Sequence, residues 1–389
     1  MRWCRNTRQI ATQRRTWMSF LLINQVLQKV SAFTQLRIYR LMLRIIIAQR
    51  ECSIVSILVS FEGYTLLEKA KSILITGGTG SFGRQFISSC LNSLSYQKIV
   101  VFSRDELKQY ELRSALPQDE RLRWFLGDVR DLDRLKRALH GIDVVVHAAA
   151  LKQVDTAEYN PFEFVKTNIF GSQNLIEAAI DSGVSKVIAL STDKASSPIN
   201  LYGATKLTAD KLFISGNYYG RPQGTIFSVV RYGNVINSRG SVVPLLLKQQ
   251  SKGIPFTITD HRMTRFWLSL EYAVNFVEDS LQNMMGGELF VPKIPSMKIV
   301  DLVAAINPHW PIKTIGMRPG EKLHEEMISL DEGRRAFEFK NHFVVIPSTY
   351  ETADEFVGGK IVPEGFRFSS DNNPEWLTSE QIKQLIGQN

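Results

Sequence analysis

Thr192, Asp193 and Lys194 run consecutively in this chain, and Tyr202 and Lys206 follow shortly after, four residues apart. On a helix that spacing puts the phenol and the ammonium on one face. A phenol near pKa 10 is a poor base at neutral pH, and bringing it down by about three pH units takes ~4 kcal/mol. One ammonium about 4 Å away supplies ~4 kcal/mol at an effective dielectric near 20. Lys206 is therefore sufficient in magnitude to let Tyr202 take a proton from an alcohol. A Tyr–Lys pair alone is ordinary surface packing, so its meaning depends on the elements around it.

Those elements alternate. From Lys71 onward the short apolar runs Ser72 to Thr76, Lys98 to Ser103, Trp124 to Leu126, Asp143 to His147, Lys186 to Leu190 and Thr225 to Val230 alternate with helical stretches, among them Phe82 to Leu94 and Pro161 to Ile180. This pattern predicts β-α-β units and an α/β fold, a Rossmann-type doubly wound parallel sheet buried on both faces. Ligands on such sheets bind at the carboxyl ends of the strands. The hydroxyl of Thr192 stands at such an end. Past about Ser241 the apolar patches shorten and prolines appear, which predicts a smaller C-terminal substrate-binding lobe. The expected division is 1–70 as a basic extension, 71–240 as the dinucleotide-binding domain, and 241–389 as mainly the lobe, with segments returning to the main domain.

The first strand runs straight into Thr76-Gly77-Gly78-Thr79-Gly80-Ser81-Phe82-Gly83. Gly77, Gly80 and Gly83 allow a tight turn and let backbone N–H groups approach a pyrophosphate at the positive end of a helix. With a strand before and a helix after, the turn predicts dinucleotide binding, with Thr79, Ser81 and Phe82 beside the glycines. The second strand ends at Ser103-Arg104-Asp105, with Lys108 one turn on. An arginine there accommodates a 2′-phosphate, where an acid would hold a ribose hydroxyl, so NADP is expected over NAD. Asp128 and Val129 after the third strand, and Ala148 and Ala149 after the fourth, complete the expected cofactor set. Asp128 is placed to accept from the adenine amino group, or else to cap the helix that follows.

Charge narrows the function classes. The chain carries 47 basic and 38 acidic residues, a net of +9. Eleven of the bases and only three of the acids lie in the first 70 residues, leaving the remainder close to neutral. No nucleic-acid partner is expected of a body without a basic excess. The leader reads as an organelle transit peptide, as a peripheral membrane contact, or as an unstructured extension. Arginines interrupt its apolar runs, and its cleanest stretch, Cys52 to Phe61, is about half the ~20 residues of a bilayer span, so no integral membrane span is expected. The three cysteines have no short spacing and the six histidines no HExxH pattern, so neither a disulfide framework nor a metal site is expected.

The segments TGGTGSFG, GDVRD, HAAALKQVD, STDKASSPINLYGATK, RYGN and MRPGEKLHEE resemble an extended short-chain dehydrogenase/reductase. More narrowly, they are similar to the inverting UDP-N-acetylglucosamine 4,6-dehydratases of pseudaminic acid biosynthesis. The resemblance spans about Lys71 to Asn389 and leaves out the leader. It implies a homo-oligomeric cytoplasmic lyase in which Thr192, Tyr202 and Lys206 form the dehydrogenase triad, helped by a cationic nicotinamide. Asp193 and Lys194 would add the dehydration step. Tyr202 would take the proton of the sugar 4-hydroxyl while hydride leaves carbon 4. Lys194 would remove the proton on carbon 5 as Asp193 protonates the departing 6-hydroxyl. Hydride return to carbon 6 and protonation of carbon 5 from the opposite face would invert that centre. An adjacent Asp and Lys normally form an ion pair, whereas a base must be neutral and an acid protonated. A desolvated pocket would favour the neutral arrangement, which holds the same number of protons.

For the substrate, UDP-N-acetylglucosamine, the candidates are Asn234, Arg265 and Arg318 on the diphosphate, because arginine forks match phosphate geometry. Glu321 resembles the family's ribose-hydroxyl acceptor, and Lys152 is expected near the active-site mouth, touching cofactor or sugar. His147 and His324 read as structural. A UDP-sugar 4-epimerase, a retaining nucleotide-sugar dehydratase and a non-catalytic nucleotide-binding protein are the rival readings, since fold alone never decides function.

Overall fold

In a computed structural model, the described residues are 71–93, 96–236, 241–347 and 359–387. The expectations for the leader, and for Cys4 and Cys52, lie outside them.

Each apolar run becomes a strand: β1 (Ser72–Thr76), β2 (Lys98–Ser103), β3 (Leu122–Leu126), β4 (Val144–His147), β5 (Lys186–Thr192) and β6 (Ile226–Tyr232). They pair in parallel in the order 3-2-1-4-5-6. Residues such as Ile73, Leu74, Ile75, Val145 and Val146 are wholly buried, as covered strands of a parallel sheet must be. One group of helices, Ser81–Asn92 and Leu270–Asn283, packs together, and so do Leu132–Leu139, Gly171–Asp181 and Leu201–Ser215. The strand order reverses between β1 and β4, the place where doubly wound sheets open a ligand crevice.

Two details differ from the apolar pattern, and both bear on the site. β5 and β6 run two residues further than their apolar stretches, because the ladder continues through Ser191↔Arg231 and Thr192↔Tyr232. Thr192 is thereby the last residue of β5, and the chain turns at once through the single 3-10 turn Asp193–Ala195. The helical stretch from Pro161 is also interrupted. Val165–Phe170 widens into a π turn between Pro161–Phe164 and Gly171–Asp181, a distortion that concentrates at functional sites. Within that turn Asn168 is buried. Its Oδ1 accepts the Leu151 N–H at 2.9 Å, and its Nδ2 donates to Leu151 O at 2.9 Å and Thr205 Oγ1 at 3.1 Å. The loop after β4 is thus tied to the helix that carries Tyr202.

Past β6 the sheet continues. Leu289–Pro292 lies parallel to β6, and His342–Val345, Ala336–Glu338 and Lys360–Ile361 add antiparallel strands in turn. A second hydrophobic core forms apart from the one under the sheet, around Val243, Leu246, Phe256, Trp267, Met297 and Leu302. Its short strands include Thr264–Leu268, paired with Ser296–Lys298 and with Asn234–Val235. No helix among the described residues is long and apolar enough to cross a membrane.

Candidate active site

The glycine turn is shaped by contact. Gly77 has φ 65°, and a Cβ there would stand 2.9 Å from the Ala148 carbonyl carbon and the Ala149 Cα. A Cβ on Gly83 would run into the Gly78 backbone. Glycine is therefore required for the turn to lie on the end of β4 while the following helix approaches. That helix, Ser81–Asn92, has Gly80 as its N-cap with no side-chain cap, an arrangement suited to an anion at its positive end.

Two hollows share the turn residues Gly77 and Gly80. The smaller, about 340 Å³, is lined by Thr79, Ser103, Arg104, Lys108, Asp128, Val129 and Ala149. Gln109 Nε2 donates to the Ser103 hydroxyl at 3.0 Å, which leaves that O–H as a donor. Arg104 reaches Asp128 at 3.8 Å and Lys108 reaches Asp105 at 2.7 Å. Asp128 does not cap the next helix. That cap is Asp131, which accepts the Arg134 N–H at 2.9 Å. Asp128 instead closes a local turn, accepting from the Arg130 N–H at 3.0 Å and from the Arg130 guanidinium at 2.8 and 3.0 Å. Burial works to raise its carboxyl, but Arg130 and then Arg104 outweigh this and hold it below the ordinary aspartate range.

The larger cleft, about 840 Å³, is lined by Gly77, Gly80, Ser81, Phe82, Gly83, Ala148, Lys152, Thr192, Lys194, Tyr202, Lys206, Asn234, Arg265, Arg318 and Glu321. Of the site residues expected from the sequence, only Asp193 lines neither hollow. It is fully buried just beneath, with Oδ2 lacking a hydrogen-bond partner among the described residues. Its Oδ1 accepts from Thr192 Oγ1 at 2.9 Å and from Lys194 Nζ at 2.9 Å.

Two expectations change here. Lys194 stands as an ammonium: burial disfavours its charge, but Asp193 and Glu325 outweigh this and raise it above the ordinary lysine range. The neutral pair expected from desolvation is thus not the resting arrangement, because a second carboxylate, Glu325 Oε1 at 3.2 Å, joins the first. A second cation, Lys194, also acts on the Tyr202 phenol. Burial pushes Tyr202 up to about 12, while Lys194 and then hydrogen bonding with Thr192 work to lower it. Lys206 shares the helix face but its Nζ donates to Leu190 O at 2.7 Å, at the end of β5. Helical spacing sets the face, whereas the side chain reaches the nearest buried acceptor.

The helix with Tyr202 can lie so close because residue 203 is glycine. A Cβ there would collide with the Lys194 carbonyl oxygen. Asn200 starts the helix, its Oδ1 accepting the Gly203 N–H at 2.7 Å. The turn is held from the other side by the 322–326 segment. Lys322 Nζ donates to Ser196 O at 2.6 Å, and Ser196 and Ser197 donate their hydroxyls to Glu326 at 3.1 and 2.7 Å. Ser197 has φ 41°, a left-handed conformation uncommon outside glycine and costly to hold without such contacts.

On the substrate side the arginines divide. Arg265 is buried, and its guanidinium donates to the carbonyls of Thr264, Leu323 and Lys322 at 2.7, 3.1 and 2.9 Å. Most of its donors are committed to holding the 322–325 segment, which weakens its expected part as a phosphate fork. Arg318 is half exposed, lines the cleft and has Asp155 at 3.8 Å. Glu321 accepts the Arg318 N–H at 3.2 Å. Lys152, in the loop fastened by Asn168, is lowered from the ordinary lysine range by burial and then by Lys194. His147 packs beneath the cleft with Nδ1 2.8 Å from Thr76 Oγ1, burial bringing it down to about 3. His324 Nδ1 stands 2.8 Å from Thr264 Oγ1.

Sequence reasoning missed Glu325, Asn168 and the buried trio Asp210, Arg231 and Glu332. Glu325 and Arg231 stood inside segments already singled out, MRPGEKLHEE and RYGN, but the partners that give them meaning are far away in the chain.

Residues 73–347 match the profile of a family described as polysaccharide biosynthesis protein. A UDP-N-acetylglucosamine 4,6-dehydratase (inverting) from Campylobacter jejuni is 51% identical over 327 residues, covering 81% of this chain and 97% of that protein. A UDP-glucose 4-epimerase from Rickettsia conorii is 39% identical over 325 residues, covering 81% of this chain and 95% of its own. Among solved structures, Pen from Bacillus thuringiensis is similar at a TM-score of 0.74 with 39% identity, covering 82% of this chain and 97% of that one.

Proposed function

The chain belongs to the polysaccharide biosynthesis protein family, and on that premise we propose that it is a UDP-N-acetylglucosamine 4,6-dehydratase that inverts carbon 5. The observation carrying this reading is Lys194 Nζ, 2.9 Å from Asp193 and 3.2 Å from Glu325, in one cleft with Thr192, Tyr202 and the glycine turn. A 4-epimerase only oxidises and re-reduces carbon 4, and an acid–base pair has no task there.

Tyr202, hydrogen-bonded with Thr192, takes the proton of the sugar 4-hydroxyl. The turn of Gly77, Gly80 and Gly83 would hold a nicotinamide dinucleotide, which would supply a hydride acceptor for carbon 4 and a hydride donor for carbon 6. The ketone at carbon 4 acidifies the proton on carbon 5, which Lys194 removes while Asp193 protonates the departing 6-hydroxyl. Because Lys194 rests as an ammonium, a proton first passes to Asp193 across their 2.9 Å contact, with no change in the total held. Protonation of carbon 5 from the opposite face then inverts that centre.

NADP is the dinucleotide of this reading. Arg104, Lys108 and the Ser103 hydroxyl line the adenosine hollow, a set of donors suited to a 2′-phosphate. The second core is the substrate lobe, with Arg318 and Asn234 toward the diphosphate, Glu321 toward the ribose and Lys152 at the mouth.

The test is incubation with UDP-N-acetylglucosamine and NADP, followed by mass spectrometry and NMR of the sugar. A product lighter by one water and inverted at carbon 5 is expected. A product of unchanged mass would replace this reading by an epimerase, and retained carbon-5 configuration by a retaining dehydratase. Binding without turnover would leave only a nucleotide-binding protein.

A further inference from the structure

Glu325 is a buried group in the cleft that the scheme above leaves without a task. Its side chain is 2% exposed and its Oε1 stands 3.2 Å from Lys194 Nζ. Its Oε2 has no hydrogen-bond partner among the described residues. A buried carboxylate oxygen left bare is costly. The backbone at 325 is pinned from both sides, its N–H donating to Ser370 Oγ at 2.9 Å and its carbonyl accepting the Ser370 N–H at 2.8 Å. Arg265 Nε lies 3.8 Å from Oε1. The carboxylate is therefore held against Lys194 by the fold, not by chance of a long side chain.

We propose that Glu325 is a positioning residue for the dehydration step, holding the Lys194 amine beside Asp193 and supplying the counter-charge for the ammonium that forms there as carbon 5 loses its proton. The inference rests on the dehydratase reading and adds a third ionisable member to its acid–base pair.

The electron count shows why a second carboxylate matters. The C5–H bonding pair becomes the new C5=C6 bond, and the C6–O pair leaves with oxygen. That oxygen takes the Asp193 proton to become water, while Lys194 takes the proton from carbon 5. At the outset of this step Asp193 is protonated and neutral, so it no longer offsets the amine. Glu325 is then the carboxylate facing Lys194. The other groups acting on that side chain's surroundings are the Tyr202 phenol and the cations Arg265, Lys152 and Lys322. Without Glu325 the cations would face an amine with no opposing charge, and they would weaken it as a base.

The experiment compares the wild-type chain with Glu325→Gln and Glu325→Asp on UDP-N-acetylglucosamine and NADP across pH. For Glu325→Gln, kcat for water release is expected to fall about 10- to 100-fold, short of losing a general base outright, with KM little changed. Removing a carboxylate lowers the proton affinity of Lys194, so the acid limb of the kcat profile moves to lower pH. Oxidation at carbon 4 persists, read as reduced-dinucleotide absorbance in a single turnover. Glu325→Asp recovers part of kcat and keeps oxidation at carbon 4. Wild-type kcat with an unmoved acid limb in Glu325→Gln would overturn the proposal, and so would equal loss of carbon-4 oxidation and water release in a folded variant. If the glutamine variant does not fold, Glu325→Asp decides: reduced water release with intact oxidation is expected, and wild-type kcat overturns. A wild-type chain that releases no water at all would instead sink the dehydratase reading.

Discussion

Arg231 and Asp210 meet at 3.2 Å with 1% and 3% of their side chains exposed, one ladder position before the Thr192↔Tyr232 pair that ends β5 and β6. Asp210 also accepts the Ser191 hydroxyl at 2.7 Å, and Arg231 donates to both Glu332 oxygens at 2.9 and 3.0 Å and to Met327 O at 2.9 Å. The network joins the helix of Tyr202 and Lys206 to the segment that carries Glu325. Arg231→Met would take the guanidinium away from two carboxylates, Asp210 and Glu332, that both pair with it. Breaking a buried pair costs about 3–5 kcal/mol, so the urea midpoint should fall sharply, and an unchanged midpoint would refute the structural weight given to this pair.

Glu332 makes the same network sensitive to acid. Burial works to raise its carboxyl, but Arg231 and the hydrogen bonds to it outweigh this and hold it below the ordinary glutamate range. A group depressed in the folded state adds stability that is present above its unfolded pKa and lost as pH falls through its folded value. Urea midpoints measured from neutral pH downward should decline in that window. Glu332→Gln should flatten this part of the decline. A variant curve parallel to the wild type would contradict it.

In the proposed scheme, Lys194→Ala and Asp193→Asn separate the two chemistries of the cleft. Each removes one partner of the elimination and leaves Tyr202 and the glycine turn in place. Water release should drop by about 10²- to 10⁴-fold, while reduced dinucleotide still forms when substrate is added, more slowly in Lys194→Ala because Lys194 works to lower the Tyr202 phenol. Full dehydration by either variant, measured by mass spectrometry, would remove that residue from the scheme.

The proposal of NADP rests on the smaller hollow, lined by Ser103, Arg104 and Lys108. Arg104→Ala removes one charge-assisted donor, worth about 1.5–3 kcal/mol. The Kd of NADP should rise about 10- to 100-fold, with that of NAD nearly unchanged, as read by fluorescence titration or calorimetry. Equal weakening of both dinucleotides would place Arg104 outside any contact with the 2′-phosphate.

Much of this was legible from sequence, for a definable reason. Strands buried on both faces read as unbroken apolar runs, and the glycine turn and the Tyr202–Lys206 helix are local features whose spacing carries their geometry. What could not be read depends on distant partners. Glu325 meets Lys194 only because the chain returns to the cleft after the second core is built. Arg265 looked like a phosphate fork, yet its donors go to carbonyls at Lys322 and Leu323. Asn168 fastens Leu151 through a π turn that no apolar periodicity announces.

The outer flank of β6 is hydrogen-bonded to Leu289–Pro292, in register at Leu289↔Val229 and Phe290↔Val230. Severing the polypeptide near residue 240 would strip that flank and leave a raw, sticky margin of the kind that recruits foreign strands. The parts of the chain before and after residue 240 are thus not exchangeable cassettes in this protein. Any swap between cousins would have to carry both halves, or restitch the seam.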